Sequence, residues 1–451
     1  MTEPTTDETS LRLQLISTRA ENLALRTPRN NKYHPLLKSD MNRRIFLTST
    51  ALVTFGAGCL RGQTDTTPSA EDTDTDAGSS SPEPTTGSTD SRTTTAGADE
   101  RLDSEWPQYG SNAANTAHVP GPAGPTEVAE RSKITSRAND SLVLFGDRLY
   151  TGGTRFNTEG GAVSRVVNRG QHAIVRNGQL LVSGTGEDGR LGKISALALS
   201  SSGHSWEKTL EPVDENQSFP NGSPALAHET FYQATGDGTL HAINVATGDT
   251  RWKYNLGTQK RQTPAIQDEI IYISGSNETA ALSRTGEVNW TQPYDFTSSP
   301  VVKGDNLYLF GDTGYDTDQG VYVLDINDGS IQWSRDIGSL GWEGIRNIAV
   351  DDESVYVNTN TDIYAFSQDG VEEWQTRFDG PGELCLSDNY LYAIGKDSSA
   401  GAITAVTKDA GNQIWREIVD SPILTEPVIS GLDLYFGAGD GTYVIREPSV
   451  E

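Results

Sequence analysis

An apolar residue followed by tyrosine recurs along this chain at near-constant spacing, and that recurrence restricts the fold more than any other feature. The pairs are Leu149-Tyr150, Phe231-Tyr232, Ile271-Tyr272, Leu307-Tyr308, Val355-Tyr356, Leu391-Tyr392 and Leu434-Tyr435, and Leu180-Leu181 fills an eighth slot without the tyrosine. The mean separation between Tyr150 and Tyr435 is about 41 residues, the period of an array of equivalent supersecondary units.

Other signals keep step with the pairs. Ser223-Pro224, Thr263-Pro264, Ser299-Pro300 and Glu426-Pro427 put proline where a strand begins. A turn such as Asp237-Gly238 or Asp440-Gly441 follows the tyrosine strand, and an alternating third strand follows the turn, as in Leu240-His241-Ala242-Ile243. A further glycine then precedes a tryptophan: Gly203 and Trp206, Gly248 and Trp252, Gly286 and Trp290, Gly329 and Trp333, Gly370 and Trp374, Gly411 and Trp415. Each unit therefore reads as four short antiparallel strands. Such a sheet buries both apolar faces only by packing radially against copies of itself. The spacing predicts an all-β, eight-bladed β-propeller of four-stranded antiparallel blades, with tryptophans wedged between neighbouring blades. Seven blades is the alternative, because about 31 residues separate Tyr150 from Leu181 with no tryptophan between them. The last unit, residues 426–447, stops after three strands. The stretch Val128 to Thr135 is expected to supply its missing outer strand and so close the ring with the N-terminal end.

The stretch Asp-Gly-Thr-Leu-His-Ala-Ile-Asn-Val-Ala-Thr-Gly-Asp-Thr-Arg-Trp at residues 237–252, with Trp106-Pro107-Gln108-Tyr109-Gly110 upstream, resembles the pyrroloquinoline-quinone-type repeat family of β-propellers. The resemblance covers residues 105–447 and is closest in shape to the eight-bladed outer-membrane assembly lipoproteins. It implies a central channel, which in the quinone-dependent dehydrogenases of the superfamily holds the cofactor beneath an adjacent cysteine pair. Here Cys385 stands alone in Glu-Leu-Cys-Leu, in the slot that Ala225, Ala265 and Val301 fill elsewhere, so it reads as a core residue and no cofactor is predicted.

Upstream, Arg43 and Arg44 open an apolar stretch from Ile45 to Gly58, too short to span a bilayer and suited to an export signal. Arg-Arg-Ile-Phe-Leu resembles a twin-arginine signal, and Gly56-Ala57-Gly58-Cys59 resembles a lipobox that makes Cys59 the lipidated first residue of the mature chain. The expected organisation is a non-native extension at 1–40, a signal peptide at 41–58, a lipid-anchored disordered Ser/Thr/Asp-rich linker at 59–104 and the propeller at 105–451.

With 62 acidic against 35 basic residues, only 10 of them lysine, the net charge of −27 argues against nucleic acid. It resembles the acid-rich, lysine-poor secreted proteins of extreme halophiles, the haloarchaeal type of lipoprotein. No nucleophile elbow, phosphate loop or histidine pair at metal spacing is present. Asp312, Asp316 and Asp318 offer oxygens to calcium but lack the spacing of a twelve-residue calcium loop, so a solvated turn is expected there.

In a four-stranded blade the loop between the second and third strands shares a face with the connection to the next blade. The fifth unit lengthens both, at 311–320 and 338–347, placing Tyr315, Trp342, Glu343 and Arg346 on that face beside Phe219, Tyr294 and Phe296. Aromatics with an arginine suit the centre of a protein-binding surface. The sequence thus predicts a non-enzymatic, monomeric, lipid-anchored propeller on the outer face of the cytoplasmic membrane, binding a protein or peptide partner at the cell envelope. A quinone-dependent redox enzyme and a carbohydrate-binding propeller are the alternatives.

Overall fold

The computed structural model describes residues 108–447, apart from 113, 122, 137–140, 152–153, 159–161, 166–169, 177, 186–190, 201–203, 211–219, 221, 258–261, 276–277, 313–319, 338–346, 381 and 398. Arg43, Arg44, Cys59, the linker, Phe219, Tyr315, Asp316, Asp318, Trp342, Glu343 and Arg346 lie outside the described residues, as does the side chain of Asp312. Among the described residues there is no helix, and every regular element is a strand.

The strands form eight antiparallel sheets, and in six of them the four strands follow chain order from the axis outward. The third blade is representative: Ala225–Ala227, Thr230–Ala234, Thr239–Asn244 and Thr250–Asn255. First strands contact one another between the first and second blades and from the third through to the seventh, and the first strand of the first blade, Leu142–Phe145, contacts that of the eighth, Val428–Ser430, bringing the first and last blades side by side. In the eighth blade the outer position is taken by Glu130–Thr135, which pairs antiparallel with Gly441–Arg446 and puts residues from both ends of the propeller in one sheet.

The apolar-tyrosine pair works because a strand alternates. In the third blade Phe231 faces backward, packing with Ile174, Leu181 and Ile194 of the second blade. Tyr232 faces forward, packing with Ile266, Ile271 and Ile273 of the fourth. The forward row crosses the whole sheet: Ala225 opposes Tyr232, Tyr232 opposes Ala242, and Ala242 opposes Trp252. The small residue in the third strand leaves room for tyrosine and tryptophan to meet, and four such pairs have ring centroids 5.8–6.2 Å apart.

Five of the tryptophans also reach the following blade through a hydrogen bond. The indole N–H groups of Trp206, Trp252, Trp290, Trp333 and Trp374 donate to the carbonyls of Val245, Arg284, Ile326, Gln368 and Lys408 in the following blade, at 2.7–2.9 Å. The ring lies on the glycine turn of that blade. Gly248, Gly286, Gly329, Gly370 and Gly411 have φ of 65–86°, and a Cβ on any of them would come within 2.5–2.8 Å of a neighbouring side chain, the indole in every case. Glycine is required there twice over, for its left-handed conformation and for the space.

The fifth blade departs from the plan. A fifth short strand, Asp295–Phe296, pairs with the far end of Asn306–Asp312, beyond the point where Val301–Lys303 leaves it. This addition draws Phe296 inward. Predicted as part of a partner face, Phe296 is instead wholly buried between Tyr294 and Tyr322, at centroid distances of 5.5 and 5.2 Å. It therefore belongs to the core, because strand pairing with Gly311 aims its ring into the seam with the fourth blade.

Candidate functional site

The inner strand of each blade turns a free edge of backbone N–H and C=O groups toward the axis, and an edge of that kind invites an extended chain. In this protein a turned segment of the chain itself occupies those edges in several blades. The N–H of Leu226 in the third blade donates to Gln108 Oε1 at 2.9 Å, that of Val302 in the fifth to the Ala114 carbonyl at 3.0 Å, and that of Val350 in the sixth to the Thr116 carbonyl at 3.0 Å. In the seventh, Leu386 donates to Ala117 at 2.7 Å and accepts from Val119 at 2.9 Å, making a parallel bridge at His118. The N–H of Gly110 donates to Glu426 Oε2 in the eighth blade at 3.2 Å. The described residues of 108–119 therefore run along the inner edges of the third, fifth, sixth and seventh blades and reach the Glu426 side chain of the eighth.

Asn115 is the centre of this segment. Its side-chain amide is buried and donates to the carbonyls of Thr263, Pro264 and Pro300 at 3.4, 3.2 and 3.1 Å, joining the fourth and fifth blades. Replacing Asn115 with alanine is expected to cost about 2 kcal/mol, since buried carbonyls lose their donor. The midpoint of urea unfolding measures it, and a loss below about 0.5 kcal/mol would show that the contacts carry no weight.

The segment is compact because Ser111, Asn115 and Ala117 adopt left-handed backbone conformations, with φ of 65, 60 and 53°. Tyr109 beside it donates to Glu383 at 3.4 Å, and burial, with Glu383 and Glu426 nearby, pushes its phenol well above the usual range. His118 lies 3.4 Å from Asp388, near the buried pair of Asp351 and Lys408 at 2.5 Å, and burial lowers its pKa. The sequence named the opening of this segment only as a point of resemblance. Its small polar residues carry no periodicity, and nothing in them indicates that backbone groups of five blades will be their partners.

These residues do not fit a quinone. Inner edges of four blades, which would otherwise face such a cofactor, are engaged by residues 108–119. Cys385 is wholly buried beside Leu384 and Leu386, its thiol pushed well up by burial, and no second cysteine neighbours it. Among the described residues no group of three or more histidine, cysteine or acidic side chains is placed to hold a metal. Of the predicted partner face only Tyr294 is described outside the core, half-buried against Phe296.

A family model described as outer membrane protein assembly factor BamB matches residues 146–335 and 317–449. The chain belongs to this family. A member from Yersinia pestis, named outer membrane protein assembly factor BamB, is 25% identical over 242 residues, covering 49% of this chain and 59% of its own length. The chain thus spans less than two thirds of that relative. Among solved structures, BamB from Moraxella catarrhalis matches with a TM-score of 0.56 and 16% identity, covering 71% of this chain and 98% of that one. The quinohemoprotein alcohol dehydrogenase of Comamonas testosteroni matches with a TM-score of 0.61 and 10% identity over 79% and 84%. Identities this low establish a shared propeller and nothing of its chemistry.

Proposed function

We propose that this protein is a non-enzymatic propeller that holds protein partners at the cell envelope, a reading supported by its relatives named outer membrane protein assembly factor BamB. The observation that carries this reading is the channel. Inner edges of four blades, where this architecture would otherwise offer a cofactor site, are engaged by the chain's own residues 108–119. That favours the outer surface as the place where a protein partner is held.

The partner surface proposed is the face bearing Tyr294 and, outside the described residues, Phe219, Tyr315, Trp342, Glu343 and Arg346. Attachment to the outer face of the membrane is proposed through a lipid on Cys59 after twin-arginine export directed by Arg43 and Arg44. Crosslinking on intact cells at native salt, followed by mass spectrometry, tests the central claim. A reproducible protein partner whose capture falls when Trp342 and Arg346 become alanine supports it. Quinone- and calcium-dependent dye reduction by the pure protein would overturn it. Detergent-phase partitioning of the wild type against Cys59→Ser tests the anchor separately.

A further inference from the structure

Five polar atoms on four buried side chains converge between the second and third blades without a hydrogen-bond partner: Ser183 Oγ, Gln233 Oε1, Thr239 Oγ1 and both ring nitrogens of His241. They are a third of the fifteen such atoms among the described residues, gathered in one of eight seams.

Alternation brings them together. Phe231 and Ile243 pack against the second blade. Gln233 stands two residues beyond Phe231, and Thr239 and His241 stand four and two before Ile243, so all three share that face. Ser183, two beyond Leu181, looks back at them from the second blade. Gln233 is directly opposite His241, and His241 opposite Lys253. In the facing sheet His172 opposes Ser183, Ser183 opposes Ile194, and Ile194 opposes Lys208. At the same level of the next seam the facing residues are Ala234 and Leu240 against Ile273 and Ala280, all apolar.

Unpaired buried polar groups are unfavourable, and native structures keep them where something else supplies the partner. Among the described residues, the charged and titratable groups facing His241 are His172 and Lys208 from the second blade and Lys253 and Asp237 from the third. Two lysines therefore face one carboxylate among these described groups, in a chain of net charge −27. Gln233 Nε2 already donates to Gly222 and Ala234, at 3.1 and 2.9 Å, which leaves its Oε1 as an acceptor.

We propose that this seam binds a small anion, of halide to carboxylate size, taken up together with a proton on His241. One imidazolium N–H then goes to Gln233 Oε1 and the other to the anion. The hydroxyls of Ser183 and Thr239 donate to the same anion, and Lys208 and Lys253 offset its charge. Every orphaned atom gains a partner in that arrangement. Without the anion, burial, followed by the nearby Lys253 and Lys208 against Asp237, holds the ring neutral and its pKa down at about 4.

The test is calorimetric titration of the full chain with sodium bromide and sodium formate at constant ionic strength, at about pH 5.5 and about pH 8. Binding is expected to weaken about tenfold or more at the higher pH, with proton uptake visible as a buffer-dependent heat. Formate alone binding assigns the carboxylate class, and bromide alone the halide class. His241→Leu and the milder Ser183→Ala are expected to weaken binding while the far-UV spectrum is retained, and bromide-soaked crystals to show an anomalous peak beside His241. Binding that is pH-independent, binding unchanged in both variants, or crystals with ordered water alone in the seam would overturn the proposal. Should either variant fail to fold, the pH dependence and the anomalous peak of the wild type decide.

Discussion

Replacing Trp415 with alanine should lower the stability of the propeller by about 3–5 kcal/mol, more than any other single truncation in the tryptophan series. Its indole is nine-tenths buried, sits 5.9 Å from Tyr392 and donates to the Pro125 carbonyl at 2.9 Å. Five tryptophans brace a blade against the next. Trp415 braces the seventh blade against the stretch that joins the channel segment to the closing strand, where Tyr392 also donates to Pro125, at 3.2 Å, and Gly124 donates to Gly431 of the eighth blade, at 2.7 Å. Its loss opens a cavity at the point where the ring is fastened. Guanidinium unfolding at high salt is the measurement. Trp206→Ala, at a more exposed indole, is the comparison, and an equal or smaller loss for Trp415 would contradict the assignment.

The second large effect is on acid stability. Burial, with Lys253 and Lys208 against Asp237, lowers the His241 pKa from 6.5 to about 4 in the folded state. The unfolded chain therefore binds this proton more readily than the native one. Stability from this group is fully present above pH 6.5 and is lost as the pH falls toward 4, a change of about 3 kcal/mol across that window. His241→Leu removes the titrating group. Its urea-unfolding midpoint should change less than the wild type's between pH 7 and pH 4.5 in buffers of fixed ionic composition that contain neither halide nor small carboxylate. Carboxylates titrate in both proteins and cancel in the difference, so parallel pH profiles would refute the prediction.

Where a physical requirement repeats, a single sequence displays it. The alternation that turns Phe231 backward and Tyr232 forward is needed in every blade, so it is written repeatedly, and the glycine turn beneath each indole is written with it. The same logic revealed the closing strand, since a unit lacking its outer strand needs one from elsewhere. Features that occur once left no such trace. Asn115 gathers three carbonyls from two blades, yet in the sequence it is an asparagine in a run of small polar residues. Phe296 read as surface because it lies in a connection between blades, and only the extra strand beside Gly311 explains its burial. His241 stood out as neither ligand nor catalyst. Its position opposite Gln233 and across from Ser183 exists only once two sheets are in register and face to face.

The forward reach of the indoles has a consequence for how such a ring changes over generations. Every middle unit carries a tongue for the blade ahead and a socket for the blade behind, so a tandem duplication would join the circle with both joints ready-made. The segment at the axis, residues 108–119, has no such freedom: its polar groups are matched to the inner edges of particular blades, and therefore to a single circumference. Lineages of this architecture that gain or lose a blade must first rewrite a dozen residues at the hub.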